Sequence, residues 1–188
     1  MRQRVLANTV GFDDAPFARG HRGAVAVVGA VFAAKRLDGV LIASVEKDGD
    51  DATRVLAATI AGSRFHEHVN LVLLQGVALA GFNVVDAAAL HAALRRPVLV
   101  VARKPPDLPA VRRALERVPG GREKWRLIEQ LGAMEPCAGT YVQRVGLDAG
   151  EARRVVERLA IHGRIPEPLR VAHLIAGAVA RGVSRGRV

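Results

Sequence analysis

Three groups of acidic residues are spaced as if to meet around a positive charge. Asp13-Asp14, Glu46-Lys47-Asp48 and Asp50-Asp51 each fall where an apolar run ends or a helical pattern begins. In α/β sheets, ligands collect at such strand ends. Carboxylates brought together from separate strands repel one another unless a cation sits between them. Mg²⁺ meets that need with one or two carboxylates, water and substrate phosphate filling its octahedron. The same residue types also make good turns and caps, and for Asp50 that plainer role is the expected one. Asp13 closes an otherwise apolar stretch, which favours a functional role.

His173 is the most suggestive histidine. On a helix over 168–182 it follows Leu169 by four and precedes Ala176 and Ala180, so it lies on the inward stripe. A lone inward histidine is more often a hydrogen-bonded core residue than a ligand. His66 and His68 alternate as on a strand, a spacing compatible with zinc that nothing else supports, and His21, His91 and His162 show no ligand spacing. The cations Arg112, Arg113, Arg117, Arg122, Lys124 and Arg126 either track a phosphate backbone or form two solvated helix faces.

The elements that must position these groups alternate in type. Residues 5–12 read as a buried strand ending at Asp13-Asp14, and a turn around Arg19-Gly20-His21-Arg22-Gly23 leads to a second strand over 24–34. Asp38-Gly39 signals a hairpin, with a third strand returning over 40–46. From Ala52 the spacing turns helical, Val55, Leu56, Thr59 and Ile60 sharing a face, and 69–74 reads as a buried central strand. Asn83 is expected to cap a helix over 84–94, with Asp86 in its first turn. A strand over 97–102 follows, then helices over 108–118 and 121–131 split by Pro119-Gly120-Gly121. A strand over 140–144, a helix over 148–161 and a last helix over 168–182 with Glu167 at its positive end complete the pattern. This order predicts an α/β fold, a mixed sheet with helices on its faces, and a single domain over 1–188.

Composition narrows the function classes. A chain of 188 residues and 20.0 kDa suits one compact domain, burying roughly 70% of its unfolded surface. Hydrophobic residues at 50% and charged residues at 24% exclude disorder. One cysteine, Cys137, excludes an internal disulfide framework and a cysteine-rich zinc site. The longest apolar run, 24–34, is too short to cross a bilayer of about 30 Å as a helix, and the first residues show no signal-peptide h-region. The expectation is a soluble cytoplasmic protein with no membrane partner.

The net charge of +10 is uneven: residues 1–94 cancel, 95–127 carry +7 and 151–188 carry +5. Arginine supplies 24 of the 28 cations, and its planar fork suits phosphate, although a GC-rich genome would also write arginine freely. No P-loop, dinucleotide glycine pattern or G-x-S-x-G elbow is present, and aromatics at 4% exclude base stacking as the main binding mode.

Several segments resemble endonuclease V. Thr140-Tyr141-Val142-Gln143-Arg144-Val145-Gly146 and Gly163-Arg164-Ile165-Pro166-Glu167-Pro168-Leu169-Arg170-Val171-Ala172-His173 are similar to that family's turn followed by LPEPTR-x-AH. Pro97-Val98-Leu99-Val100-Val101-Ala102-Arg103-Lys104 looks like its strand ending in GVAK. Leu73-Leu74-Gln75-Gly76 lies where it has VDG, and Val10-Gly11-Phe12-Asp13 where it has GVD. The endonuclease dU branch is more similar still, through Gly11-Phe12-Asp13-Asp14, Asp48-Gly49-Asp50-Asp51-Ala52-Thr53, Gly81-Phe82-Asn83-Val84-Val85-Asp86 and Ser184-Arg185-Gly186-Arg187.

The resemblance implies a ribonuclease H-like fold, a mixed sheet with flanking helices, and Mg²⁺- or Mn²⁺-dependent cleavage of DNA near deaminated bases, uracil foremost. It implies Asp13, Asp48 and His173 as catalytic groups and Asp13, Asp48 (or its rival Asp51) and Gln75 as metal ligands. Arg103, Lys104, Arg164 and Arg170 would hold nucleic acid. Gln75 stands where the parent family has an aspartate; its amide oxygen removes one negative charge and predicts weaker cation binding. Leu41-Ile42-Ala43-Ser44-Val45 occupies the place of the family's proline-tyrosine-isoleucine-proline wedge. The alternatives are a ribonuclease H-like module that holds nucleic acid without turnover, and a small-phosphate binder.

Overall fold

The computed structural model describes residues 6–184, so Val5 of the first expected strand and Arg185, Gly186 and Arg187 of the C-terminal motif lie outside the described residues. Strands β1 (Asn8–Asp14), β2 (Ala24–Ala33) and β3 (Arg36–Glu46) form an antiparallel meander. Helix α1 (Ala52–Ala61) then leads to β4 (Leu71–Gln75), which lies parallel to β1 with Phe12 opposite Leu74. A small hairpin, β5 (Ala78–Leu79) with β6 (Asn83–Val84), precedes α2 (Ala87–Leu94) and β7 (Val98–Ala102), the latter parallel to β4. Helices α3 (Leu108–Leu115) and α4 (Gly121–Leu131), the hairpin β8 (Glu135–Cys137)–β9 (Thr140–Val145), α5 (Ala149–Leu159) and α6 (Glu167–Arg181) complete the chain. The main sheet runs β3-β2-β1-β4-β7-β9-β8. It is the mixed α/β sheet with flanking helices that the element order implied.

Alternation sorts the side chains. On one face Leu56 and Ile60 of α1 and Leu90 and Leu94 of α2 pack against Val10, Phe12, Val72, Leu74, Val98 and Val100. On the other, Val155, Val156 and Leu159 of α5 and Leu169 of α6 cover Leu71, Leu73, Leu99 and Val101. Each such leucine contributes about 1.5–3 kcal/mol by leaving water. Three strands point the same way at the centre, so the carboxyl ends of β1, β4 and β7 share one edge of the sheet. That edge is also where β3 ends, since β3 runs antiparallel to β2 and β2 antiparallel to β1.

Three local expectations need correction. The hairpin turns at Ala34-Lys35, not at Asp38-Gly39, which lie inside β3 because the β2–β3 ladder runs on to Ala33 opposite Arg36. Asn83 does not cap the second helix: residues 83–84 are a strand, and Asp86 is the cap, its Oδ1 accepting from the Ala89 N–H at 2.9 Å. The Asn83 side chain is drawn elsewhere by long-range bonds. Strand β8 was not expected, because three residues with a central proline carry no alternation to read. No helix among the described residues is long and apolar enough to cross a membrane.

Candidate functional site

The two ends of the chain build the centre of the site. Val10 and Phe12 of β1 face α1 and α2, so Gly11 and Asp13 face α6. A Cβ on Gly11 would lie 2.6 Å from the Pro168 carbonyl carbon and 2.8 Å from the Leu169 nitrogen, so only glycine lets α6 start directly on the strand. Pro166 and Pro168 flank the first turn of α6, where a missing N–H leaves no helical bond unmade. Glu167 between them is buried; its carboxylate accepts from Arg170 Nε at 2.9 Å and lies 3.2 Å from His162 Nδ1. The Arg170 hydrogen bond holds the Glu167 carboxyl below its ordinary range, the His162 contact adding to it. Thus the Pro-Glu-Pro segment sets the position of α6, and the next turn delivers His173 to β1.

His173 Nδ1 lies 2.7 Å from Asp13 Oδ2. With the carboxylate accepting, Nδ1 carries the proton and Nε2 remains for another partner. The Asp13 side chain is 8% exposed and the His173 side chain 38%, so the imidazole links a buried acid to solvent. Asp13 Oδ1 accepts from the Asp14 N–H at 3.0 Å. Burial and, next, the charge of Asp14 push the Asp13 carboxyl up to about 6, against the pull of His173. Asp14 is also raised, by burial first, although its Oδ2 accepts from the Ala80 N–H at 3.1 Å. Two adjacent carboxyls, both costly to ionise, form a place where added positive charge is favoured.

Gln75 ends β4 one position beyond the Phe12–Leu74 pair, beside Asp13 on β1. It shares the face of Leu71 and Leu73, which is the α5 and α6 face. Its Oε1 is buried without a hydrogen-bond partner among the described residues. An acceptor left bare at that cost suits a cation or a substrate donor. Oxygen donors from Asp13 and Gln75 fit a hard divalent ion that draws its other ligands from water and phosphate. Among the described residues, no three carboxylate, imidazole or thiol groups stand close enough to hold an ion unaided.

Asp48 and Asp51 are engaged differently. Asp48 Oδ1 accepts from the Phe82 N–H at 2.8 Å, its Oδ2 lies 3.7 Å from Lys47 Nζ, and its backbone carbonyl accepts from buried Lys124 Nζ at 2.5 Å. Burial pulls Lys124 below the ordinary lysine range, while Asp48 and Asp50 pull it back. Asp51 Oδ1 accepts from the Glu46 N–H at 3.1 Å and from Asn83 Nδ2 at 2.6 Å. Asn83 is fully buried; its Oδ1 accepts from the Ala52 N–H at 3.0 Å and its Nδ2 also donates to the Glu46 carbonyl at 2.9 Å. These groups clasp the end of β3, the start of α1 and the β5–β6 hairpin together. The structure therefore brings Asp13, His173 and Gln75 to one strand edge, and gives Asp48 and Asp51 to the neighbouring loops.

Of the expected phosphate contacts, Arg103 and Lys104 follow β7 on the same edge and are exposed. Arg164 is exposed and lays its stem over Gly139, while Arg170 spends two donors on Glu167. Lys104 also lines a mostly apolar hollow of about 360 Å³ at the ends of β4 and β7, with Gly76, Phe82, Met134 and Gln143. Gln143 donates through Nε2 to the Gly132 carbonyl at 2.5 Å, which leaves Oε1 to accept. Sequence reading missed this hollow because its walls come from distant segments; Gly76, Phe82, Lys104 and Gln143 each stood in a matched motif, but nothing local shows that they meet.

The profile of the endonuclease dU family matches residues 6–180. A UPF0215 protein of Deinococcus radiodurans is 57% identical over 183 residues, which cover 97% of this chain and 93% of that one. A crystal structure of a protein of unknown function from Archaeoglobus fulgidus superposes with a TM-score of 0.85 at 31% identity, covering 92% of this chain and 97% of that one. Ciona intestinalis endonuclease V, in complex with a 24mer DNA containing an inosine followed by a ribo-adenosine, superposes with a TM-score of 0.53 at 13% identity over 88% and 82% of the two chains. The fold is shared with endonuclease V.

Proposed function

Because this chain belongs to the endonuclease dU family, we propose that it is a metal-dependent endonuclease that cuts DNA at or near deaminated bases, uracil first among them. The observation that carries the reading is the Asp13–His173 contact of 2.7 Å, made by a carboxyl raised to about 6 beside the bare Gln75 Oε1. Asp13 and Gln75 would hold Mg²⁺ or Mn²⁺. When bound, the ion supplies Lewis-acid neutralisation of charge on the scissile phosphate. Asp48 and Asp51 fix the loops around it.

Asp13 orients the His173 ring through Nδ1, so that Nε2 faces the reacting groups and handles their proton. A water oxygen attacks phosphorus, the bond to the leaving sugar oxygen breaks, and the proton lost by the water ends on that oxygen. Arg103 and Lys104, on the same edge, and the exposed Arg164 hold the backbone in register. The hollow beside Gln75 takes an unstacked base: Phe82 offers a ring face and Gln143 Oε1 an acceptor for the imide N–H of uracil. The setting is the cytoplasm, on genomic DNA.

Oligonucleotides bearing uracil, hypoxanthine or no lesion, incubated with Mg²⁺, Mn²⁺ or a chelator, test this. Uracil-dependent product that the chelator removes is expected. Equal or no cleavage across all three substrates in every metal overturns it. A second reading, a nucleic-acid-binding module without turnover, is favoured by the neutral Gln75 alone. It predicts unchanged tight binding and no product from Gln75→Asp.

A further inference from the structure

A second hollow, of about 590 Å³, opens on the same sheet edge and is lined by Arg19, His21, Arg22, Lys47, Asp48 and Arg117. Its walls are the β1–β2 loop, the residues after β3 and the turn between α3 and α4. Lys47 is spent on building it: Nζ donates to the Arg19 carbonyl at 2.9 Å and to the His21 carbonyl at 3.0 Å. His21 Nε2 is likewise engaged, 3.0 Å from the Ala24 carbonyl. Asp48, the one acid present, is already held by Phe82 N–H and Lys47. By contrast, no hydrogen bond or ion pair among the described residues occupies the guanidinium of Arg19, Arg22 or Arg117, and all three are exposed. Three arginine forks line a pinned concavity whose one acid is already engaged.

We propose that this hollow is a phosphodiester-binding site that grips the nucleic-acid backbone away from the cleavage point. The proposal rests on the nucleic-acid reading above, adds Arg19 and Arg22 to it, and gives Arg117 a phosphate-facing place. Planar forks match phosphate oxygens in pairs, and a fixed loop lowers the entropy cost of bringing them together. The hollow is also tied to the centre through one residue. The Ala80 N–H donates to Asp14 Oδ2 at 3.1 Å and the Ala80 carbonyl accepts from the Asp48 N–H at 2.9 Å. Backbone gripped at Arg19, Arg22 and Arg117 is thereby registered against Asp13.

The test is Arg19→Ala/Arg22→Ala/Arg117→Ala, with fluorescence anisotropy of an undamaged labelled DNA duplex in chelator, across a potassium chloride series. Each lost phosphate contact lowers the slope of log affinity against log salt by about one, so a fall of about two to three is expected, with affinity down about tenfold or more. Arg19→Lys/Arg22→Lys/Arg117→Lys keeps the charge and is expected to keep most of the slope. Arg64→Ala/Arg153→Ala/Arg181→Ala removes the same charge from other elements and sets the background.

A slope in the first triple equal to that background overturns the proposal. So does loss of inorganic phosphate or nucleoside monophosphate binding with the duplex slope intact, which marks a small-phosphate site instead. Should the alanine triple fail to fold, Arg22→Gln alone, losing about one unit of slope, decides the question in the same way. Because the assay needs no cleavage, a protein that cuts nothing yet loses slope in the triple supports this site while the nuclease reading fails.

Discussion

Two acidic regions sit side by side at the carboxyl edge of the sheet, and they differ in whether their oxygens are satisfied. Around Asn83, the Asp51 and Asp48 carboxylates each accept from protein donors, and the one fully buried amide closes the clasp with three partners. Around Asp13, the carboxyl is buried against a neighbouring acid, and the amide oxygen of Gln75 beside it accepts from nothing described. The first region is at an energy minimum as it stands. The second carries a cost that a bound cation would relieve. Satisfied carboxylates hold the fold; frustrated ones mark the chemistry.

The sharpest break of that contrast is Asp13→Asn, expected to lower uracil-dependent cleavage on the order of a thousandfold. Asp48→Asn in the same assay is expected to leave turnover per folded molecule largely unchanged. Equal losses would erase the distinction. Next comes Asn83→Ala, which strands the Ala52 N–H and takes from Asp51 Oδ1 and the Glu46 carbonyl one of their donors each. A cost of about 2–4 kcal/mol follows, read as a fall of about 6–12 °C in thermal midpoint with no change in metal dependence.

Asp13 also predicts an inverted pH profile of stability in chelator. Its carboxyl ionises at about 6 in the folded chain against an ordinary 3.8, so the native state holds a proton that the unfolded chain releases. Stability from this group is complete below 3.8 and falls as pH rises to about 6. Asp13→Asn abolishes that fall and is expected to raise stability by about 2–3 kcal/mol at pH 8, with no gain at acid pH. A variant less stable at pH 8 would show that Asp13 belongs with the satisfied group. The smallest effect is Gln75→Asp, which adds a charge beside Asp13. Titration with Mn²⁺ is expected to show affinity higher on the order of tenfold, with cleavage rising alongside.

Much of the scaffold was legible because its signals are local. The apolar runs ending at Asp13 and Gln75 and the proline-flanked start of α6 all read correctly to within a few residues. The Asp148–Glu151 capping box confirms the helix start expected at Asp148. What could not be read was long-range. Asn83 has the right residue type for a helix cap, but it caps a helix start 31 residues earlier, at Ala52, while Asp86 takes the local role. The spacing of Asp13 and Asp48 looked alike in sequence, and only the backbone donors around each tell them apart. The even charge balance of residues 1–94 likewise concealed Arg19 and Arg22, because balance along a chain is not balance in space.

The pairing of Asp13 with His173 spans 160 residues, and α6 must land on Gly11 for it to exist. Every strand of the sheet precedes the imidazole in chain order. A chain cut ahead of residue 173 therefore keeps Asp13 and every strand but loses the imidazole that meets its carboxyl. The reach of that one contact makes the state of the Asp13 carboxyl a report on whether the last helix is in place.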